Sequence, residues 1–325
     1  MEIYVGSTAP VKHKIYWRGE EQDADNTPTV TLYDITNDPI NPVSPTTVLA
    51  TFTAEKLETE VGVYQAFIPT TLMTRSREFK MVWSYTIAGL AQTREHNLYV
   101  VKPYTDLEQV REELDFGGDR SDPNYKSYQQ LVLAERYARK VIETHTGQKF
   151  YPYDETHLVH GADSDTLILN SKLIQLHRLY VNDYLLIDAL TNPKTNNWGK
   201  GININENGFG IRIDRTSEVD NTVYTANGMV PPSIHDDNSV FKQGNRYQVY
   251  GRFGYNEVPD DIDLACIELM KDYFSKDIAW KNKYIKKIST FDWDFEYAAG
   301  ATSGTGNLYA DQLLSDYVVS QVMLL

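Results

Sequence analysis

The sequence predicts an α+β chain. An N-terminal all-β sandwich is followed by a small helical bundle, which carries a β-rich insertion and ends in a C-terminal helical arm. Three observations predict it. Short runs of β-branched and aromatic residues, separated by Asn-, Asp- and Pro-rich turns, fill residues 1–102. Apolar residues at helical spacing then open residues 103–325, and they return near 259. Between those helical stretches, over about 156–255, the strand pattern comes back.

In the first module, His13–Glu20, Thr29–Thr36, Val61–Pro69, Phe79–Ile87 and Arg94–Val101 read as strands. "QDADNTP" and "TNDPINPVSP" supply the turn residues between them. A small antiparallel sandwich of immunoglobulin-like type is expected, spanning 1–102.

Pro103 ends the last strand, and Thr105 with Glu108 has capping-box spacing for a short helix over about 105–115. Leu107, Val110 and Leu114 share its inner face. A second helix is expected over 122–146, capped by Ser121 or Asp122, with Pro123 in its first turn and Gly147 as its left-handed stop. Leu131, Ala134, Ala138, Val141, Ile142 and His145 form its apolar face, which leaves Arg136, Arg139 and Lys140 largely opposite. In the β-rich insertion "NENG", Asn205–Gly208, reads as a hairpin tip. Long polar loops are expected from Asp188 to Lys200 and around Asp214–Gly244.

Pro259, with Asp260, Asp261 and Asp263 behind it, opens a third helix over about 259–280. Acids in a first helical turn face free N–H groups and the positive end of the dipole, so capping rather than catalysis explains them. Ile262, Ala265, Cys266, Leu269, Met270 and Tyr273 form the stripe beneath, with Cys266 as a buried thiol. Residues 298–307 read as a Gly-rich flexible linker before the arm, 308–325.

Composition narrows the function. A net charge of −14 speaks against a nucleic-acid coat, while an acidic wall lets DNA slide past without sticking. The single cysteine excludes an internal disulfide framework and a multi-cysteine zinc site. "MEIYVGSTAP" lacks a signal-peptide pattern, and no apolar run is long enough for a bilayer, so no membrane partner is expected.

Motif by motif, chemistry is sparse. His157, His160, Asp163 and Asp165 lie close in sequence, but strand positions three apart face opposite ways, so exposed edge histidines are expected. "DADNTPTVTLYD" has Pro28 where a calcium loop needs glycine, and a turn fits better. "GATSGTG" lacks the Lys-Ser/Thr of a phosphate loop. No catalytic residue, metal site or cofactor is predicted, and the chain is not expected to be an enzyme.

Two features point to binding. Lys281, Lys283, Lys286 and Lys287 interleave with Trp280 and Tyr284, a local basic patch suited to DNA phosphates or an acidic partner, or to a solvated helix end. In the arm, Leu313, Leu314, Tyr317, Val318 and Val322 recur at helical spacing. Such a segment either folds back on its own domain or docks on a neighbouring chain.

"YTDLEQVREELDF", the helix closing on Glu143, Thr146, Gly147 and Phe150, "GRFGYNEVPDDIDLACIELM" and the final "ADQLLSDY" come in an order that resembles head–tail connector (adaptor, or head-completion) proteins of tailed bacteriophages. The resemblance covers about Pro103 to Tyr317. The family's members are usually shorter, so the β-rich insertion is enlarged here. The N-terminal module is an addition, similar to immunoglobulin-like modules that phage structural proteins carry.

The resemblance implies a structural virion protein at the neck, assembled in the host cytoplasm. It would form a ring, usually dodecameric, beneath the portal, joining head to tail and lining part of the DNA channel. The implied partners are the portal protein, neighbouring copies, downstream tail or neck proteins and, transiently, genomic DNA. The portal-binding arm carries over to Leu313, Leu314, Tyr317, Val318 and Val322. The alternative is a virion decoration or a receptor- or carbohydrate-binding protein, with Trp17, Trp83 or Tyr64 stacking on sugars. A third reading, a hydrolase, would use His157 or His160 with Asp163.

Overall fold

The computed structural model describes residues 1–8, 10–34, 48–117, 120–188, 202–213, 240–275, 287–289, 294–296 and 304–318. The chain is mixed α+β and sheet-rich, and it divides into two compact units. One contains residues 1–102 and 152–253; the other contains 103–151 and 254–325.

Among the described residues, the first unit begins with ten strands. These are β1 (Glu2–Tyr4), β2 (Val11–Lys14), β3 (Tyr16–Trp17), β4 (Glu20–Glu21), β5 (Thr29–Asp34), β6 (Val48–Thr53), β7 (Glu55–Lys56), β8 (Val63–Ala66), β9 (Arg77–Ile87) and β10 (Leu90–Val101). A five-stranded sheet runs β1-β10-β9-β5-β6, with β1 parallel to β10, and a second sheet runs β2-β8-β7. Period-two alternation along β9 turns Phe79, Met81, Trp83, Tyr85 and Ile87 inward. They share one core with Val11, Tyr64 and Ala66 from the second sheet. The β9–β10 hairpin turns at Ala88 and Gly89, both at positive φ (50° and 73°), as a two-residue primed turn requires.

The polar segment that superficially resembles a calcium loop is structural. Asp23 accepts from Gly62 N at 2.8 Å, Asp25 from Gly89 N at 2.8 Å, and Asn26 from Thr86 N at 2.6 Å. Its oxygens are spent on holding neighbouring turns.

His13 gives this module a pH signature. Its Nδ1 lies 3.2 Å from Nε2 of His96, and its ring centroid is 5.1 Å from that of Trp83. Burial, then the charges of His96 and Arg94, lower its pKa to about 4 from the usual 6.5. Between those values the unfolded chain takes up a proton that the folded site refuses, so stability falls as pH drops from about 6.5 to about 4. Replacing His13 with Gln is expected to flatten that limb of the stability curve, read as urea midpoints at pH 7 and near pH 4.5. Equal acid slopes in the two proteins would contradict it.

Seven more strands follow among the described residues of this unit: β11 (Tyr153–His160), β12 (Thr166–Ile168), β13 (Leu173–Val181), β14 (Tyr184–Asp188), β15 (Ile202–Ile204), β16 (Gly210–Ile213) and β17 (Arg246–Phe253). They form a four-stranded sheet, β11-β17-β13-β14, and a three-stranded one, β12-β16-β15. The β15–β16 hairpin has Asn205–Gly208 at its tip, as the sequence predicts. Gly251 lies in the central strand where β13 is bulged, and a Cβ there would stand 2.6 Å from the Gln175 carbonyl oxygen.

The expected division at 102/103 changes here, because residues 152–253 group with the N-terminal module and not with the helices. Ser76 bridges to Tyr153, and Arg75 reaches Asp154 at 3.2 Å. Burial of Asp154 opposes its ionisation, but His177, Arg75 and Arg252 together outweigh that and hold its carboxyl below the usual range.

The described residues of the second unit are mainly helical: α1 (Leu107–Glu113), α2 (Tyr128–Thr146), α3 (Asp260–Phe274) and α4 (Leu308–Leu314), with an antiparallel pair of strands, β18 (Lys287–Ser289) and β19 (Asp294–Glu296). Helix starts are where expectation and structure part. Asp106, not Thr105, caps α1, accepting from Glu108 N at 2.9 Å, while Thr105 is buried. α2 begins at Tyr128 rather than 122, because Ser127 and Gln130 form a reciprocal capping box. Asp122 instead closes a local turn onto Asn124 N. At the other end Gly147 sits at φ 70°, the predicted left-handed stop.

Pro259 is the N-cap of α3, and Asp260, Asp261 and Asp263 occupy its first turn. Ile262, Ala265, Cys266, Leu269 and Met270 are buried as expected. Tyr273 is not: it is 46 % exposed at the C-terminal end of the helix, against the ring of Tyr137. Residues 276–280 of the expected third helix lie outside the described residues.

Candidate functional site

The helical unit is organised around a buried polar network. Glu135 and Arg139 of α2 are 0 % and 1 % exposed, although helical phasing places Arg139 largely outside. Arg139 Nε donates to Glu135 Oε1 at 3.2 Å, and its Nη1 lies 3.8 Å from Glu143. Glu135 also accepts from Tyr104 N, while the Tyr104 hydroxyl donates to Glu143 at 2.9 Å and accepts from Phe150 N at 3.0 Å. Glu135, Arg139 and Glu143 stand four residues apart, so the ladder of alternating charge was readable, but its burial was not.

Cys266 is fully buried in the same unit, its thiol pushed up by burial, then by Glu135 and Asp263. That is a protonated core thiol.

The C-terminal segment folds onto this unit. Asn307 caps α4 through Tyr309 N and Ala310 N, and its side-chain amide donates to Asp272 at 3.0 Å. Thr305 donates twice to Asp311, at 2.8 and 2.7 Å. Residues 304–307 therefore form an anchored cap, which corrects the expectation of a flexible linker there; residues 298–303 lie outside the described residues.

Among the predicted arm residues, Leu314 is fully buried in this unit's own packing and Leu313 half-buried. Tyr317 packs edge-on to Phe150, with ring centroids 5.3 Å apart, and its hydroxyl donates to Asp261 at 3.4 Å. Gln148 Nε2 donates to the Tyr317 carbonyl. Leu314 and Tyr317 thus serve the chain's own fold, a correction to their assignment to a free docking arm. Val318 is exposed, and Val322 lies outside the described residues.

The other sequence candidates separate. Lys281, Lys283 and Lys286 lie outside the described residues, and Lys287 is placed only as backbone of β18. The ring of His157 stacks on Phe253 at 3.9 Å, so it is half-buried and not an exposed edge residue. His160 is exposed, and Asp163 accepts from Gln243 N. His157 Nε2 faces Glu155 at 3.4 Å. Trp83 and Tyr64 are core residues, 0 % and 4 % exposed, which removes two of the three candidate sugar-stacking rings.

One surface feature went unread in the sequence. An open groove of ≈ 750 Å³ runs along α2, lined by Leu133, Tyr137 and Tyr273 with Arg136, Lys140 and His145, and walled by Gly304 and Thr305. Leu133 and Tyr137, four residues apart but off the apolar face, were the available signal.

No protein-family model matches the chain, and no curated protein matches it. Among solved structures, a chain described as "Neck of empty GTA particle computed with C6 symmetry" is similar at 14 % identity and a TM-score of 0.33, covering 67 % of this chain and 90 % of that one.

Proposed function

We propose that this chain is a structural subunit of the neck of a tailed-phage particle. In this reading it is one copy of an adaptor ring between portal and tail, whose acidic surface lines part of the DNA channel. One observation carries the reading. The stretches that resemble connector proteins (α1, α2 with its Gly147 stop, residues 254–259 leading into α3, and 308–317) lie far apart in sequence yet gather in one compact unit, while β17 just before Gly254 falls in the other. The N-terminal module is read as an immunoglobulin-like sandwich appended to that unit.

The docking arm is correspondingly shorter than the sequence suggests. Because Ala310 and Leu314 are fully buried, deleting residues 308–325 would uncover the core around α3. Portal contact is therefore assigned to Val318, Val322 and the terminal residues beside them. Removing 319–325 is expected to abolish capture of the chain by purified portal rings while leaving the thermal unfolding midpoint unchanged. Equal capture of the truncated and full chains would refute the arm assignment, and failure of the full chain to bind portal would refute the neck reading.

A further inference from the structure

One face of the β11-β17-β13 sheet gathers more positive charge than its buried carboxylate balances. Alternation along β17 puts Tyr250 and Arg252 on the less buried face, and Arg252 stands opposite Asp154 in the β11–β17 register. His177 of β13 joins them, as does Arg75, which precedes the bridge from Ser76 to Tyr153. The Asp154 side chain is 4 % exposed. Arg75 Nη1 lies 3.2 Å from its Oδ2, while Arg252 Nε and His177 Nε2 lie 3.6 and 3.7 Å from its Oδ1. The last two separations are too long for hydrogen bonds. Asp154 Oδ1, Arg252 Nε and His177 Nδ1 are buried with no hydrogen-bond partner among the described residues. Asp34, a neighbouring carboxylate, is engaged by Arg77 at 3.3 Å. Two permanently charged guanidiniums thus share one carboxylate, which leaves a positive surplus on a chain of net charge −14.

We propose that Arg75, Arg252 and His177 form a binding site for a small tetrahedral oxyanion, a free phosphate or sulfate dianion, with Asp154 as the buried counter-charge that holds them in place. The arginine side chains are 50 % and 33 % exposed, so solvent reaches both, whereas Asp154 is nearly closed off. Asp154 is approached through Nη1 of Arg75 and Nε of Arg252. The other N–H groups of each planar fork suit the paired oxygens of a phosphate. His177 adds a donor and, when protonated, a further charge. A single negative charge at Asp154 repels an incoming anion less than these cations attract it. By fixing the forks in advance, Asp154 also lowers the ordering cost of binding. This site lies in the first unit and does not rest on the neck reading.

The test is calorimetric titration of the full chain with inorganic phosphate at pH 7.5 and fixed ionic strength. A saturable one-site isotherm in the millimolar range or tighter is expected. Arg252→Gln and Arg75→Gln should each weaken it about tenfold or more, the effect of losing one charge-assisted pair. Arg75 is half-exposed, so its variant tests the site even where Arg252→Gln fails to fold, which circular dichroism reads. Arg212→Gln is the control. That side chain is 64 % exposed on β16 and meets Asp165 at 3.7 Å, and its loss should leave phosphate binding unchanged. A single-stranded DNA oligonucleotide separates the two sources of phosphate oxygens, because its diesters carry one charge each. Weaker binding of the oligonucleotide, per phosphate, supports a free dianion. Tighter binding of it that disappears in both arginine variants would overturn the free-dianion assignment in favour of a nucleic-acid backbone. Absence of saturable phosphate binding, or binding that survives both arginine variants unchanged, would overturn the site itself.

Discussion

Arg139→Ala is expected to destabilise the protein by about 3–5 kcal/mol, the range for removing one partner of a buried ion pair. The guanidinium is 1 % exposed and answers two carboxylates, Glu135 at 3.2 Å and Glu143 at 3.8 Å. Without it, Glu135 keeps the Tyr104 amide but loses the Arg139 guanidinium at a fully buried position. Burial alone does not make the pair stabilising, since desolvation offsets most of the Coulomb attraction. The double variant Glu135→Leu, Arg139→Met is therefore expected to recover most of the loss. Lys140→Ala, one residue along and exposed, should stay within about 0.5 kcal/mol of wild type. Urea unfolding of the three variants reads this directly. An Arg139→Ala protein as stable as Lys140→Ala would mean that the network does not hold the unit together.

Gly254→Ala is the second large effect, at about 2–6 kcal/mol, combining strain at positive φ with a steric clash. Gly254 has φ 94°, and a Cβ would stand 2.1 Å from the Tyr151 carbonyl oxygen, a backbone atom that cannot rotate away. Gly147 separates the two causes. It has φ 70°, yet a Cβ there meets nothing within 4 Å, so Gly147→Ala should cost only about 1–2 kcal/mol. Chemical denaturation of both variants gives the comparison. Equal losses would show that conformation, not contact with Tyr151, explains the glycine after β17.

Much of the second unit was legible because the signals are local. Pro259 and three acids announce the start of α3, and the apolar positions from Ile262 to Met270 announce its buried stripe. The same logic failed by one residue at α1 and by six at α2, where expectation began at Thr105 and 122 and the structure at Asp106 (cap) and Tyr128. Several Ser, Thr and Asp residues compete there for the same free N–H groups. Only the reciprocal pairing of Ser127 with Gln130 decides between them.

The candidate surface was less legible than the fold. Leu133 and Tyr137 are apolar yet exposed, whereas Arg139 is charged yet buried, and helical phasing cannot tell which side a second segment will cover. Residues 304–307 have the composition of a linker, but Asn307 and Thr305 find Asp272 and Asp311 across the fold and become a cap.

By itself, then, the sequence determined the alternation of strand-rich and helical stretches, the acid-rich start at Pro259, the stop at Gly147 and the buried Cys266, but missed strands such as β1 and β6. All of these follow from periodicity and backbone preference within a few residues. Tertiary structure alone decided that 152–253 joins the N-terminal module, that Arg139 goes inside, that Leu314 and Tyr317 close their own unit, and that a basic groove is left along α2. Each of those outcomes depends on which distant segments meet, and no spacing along the chain encodes that.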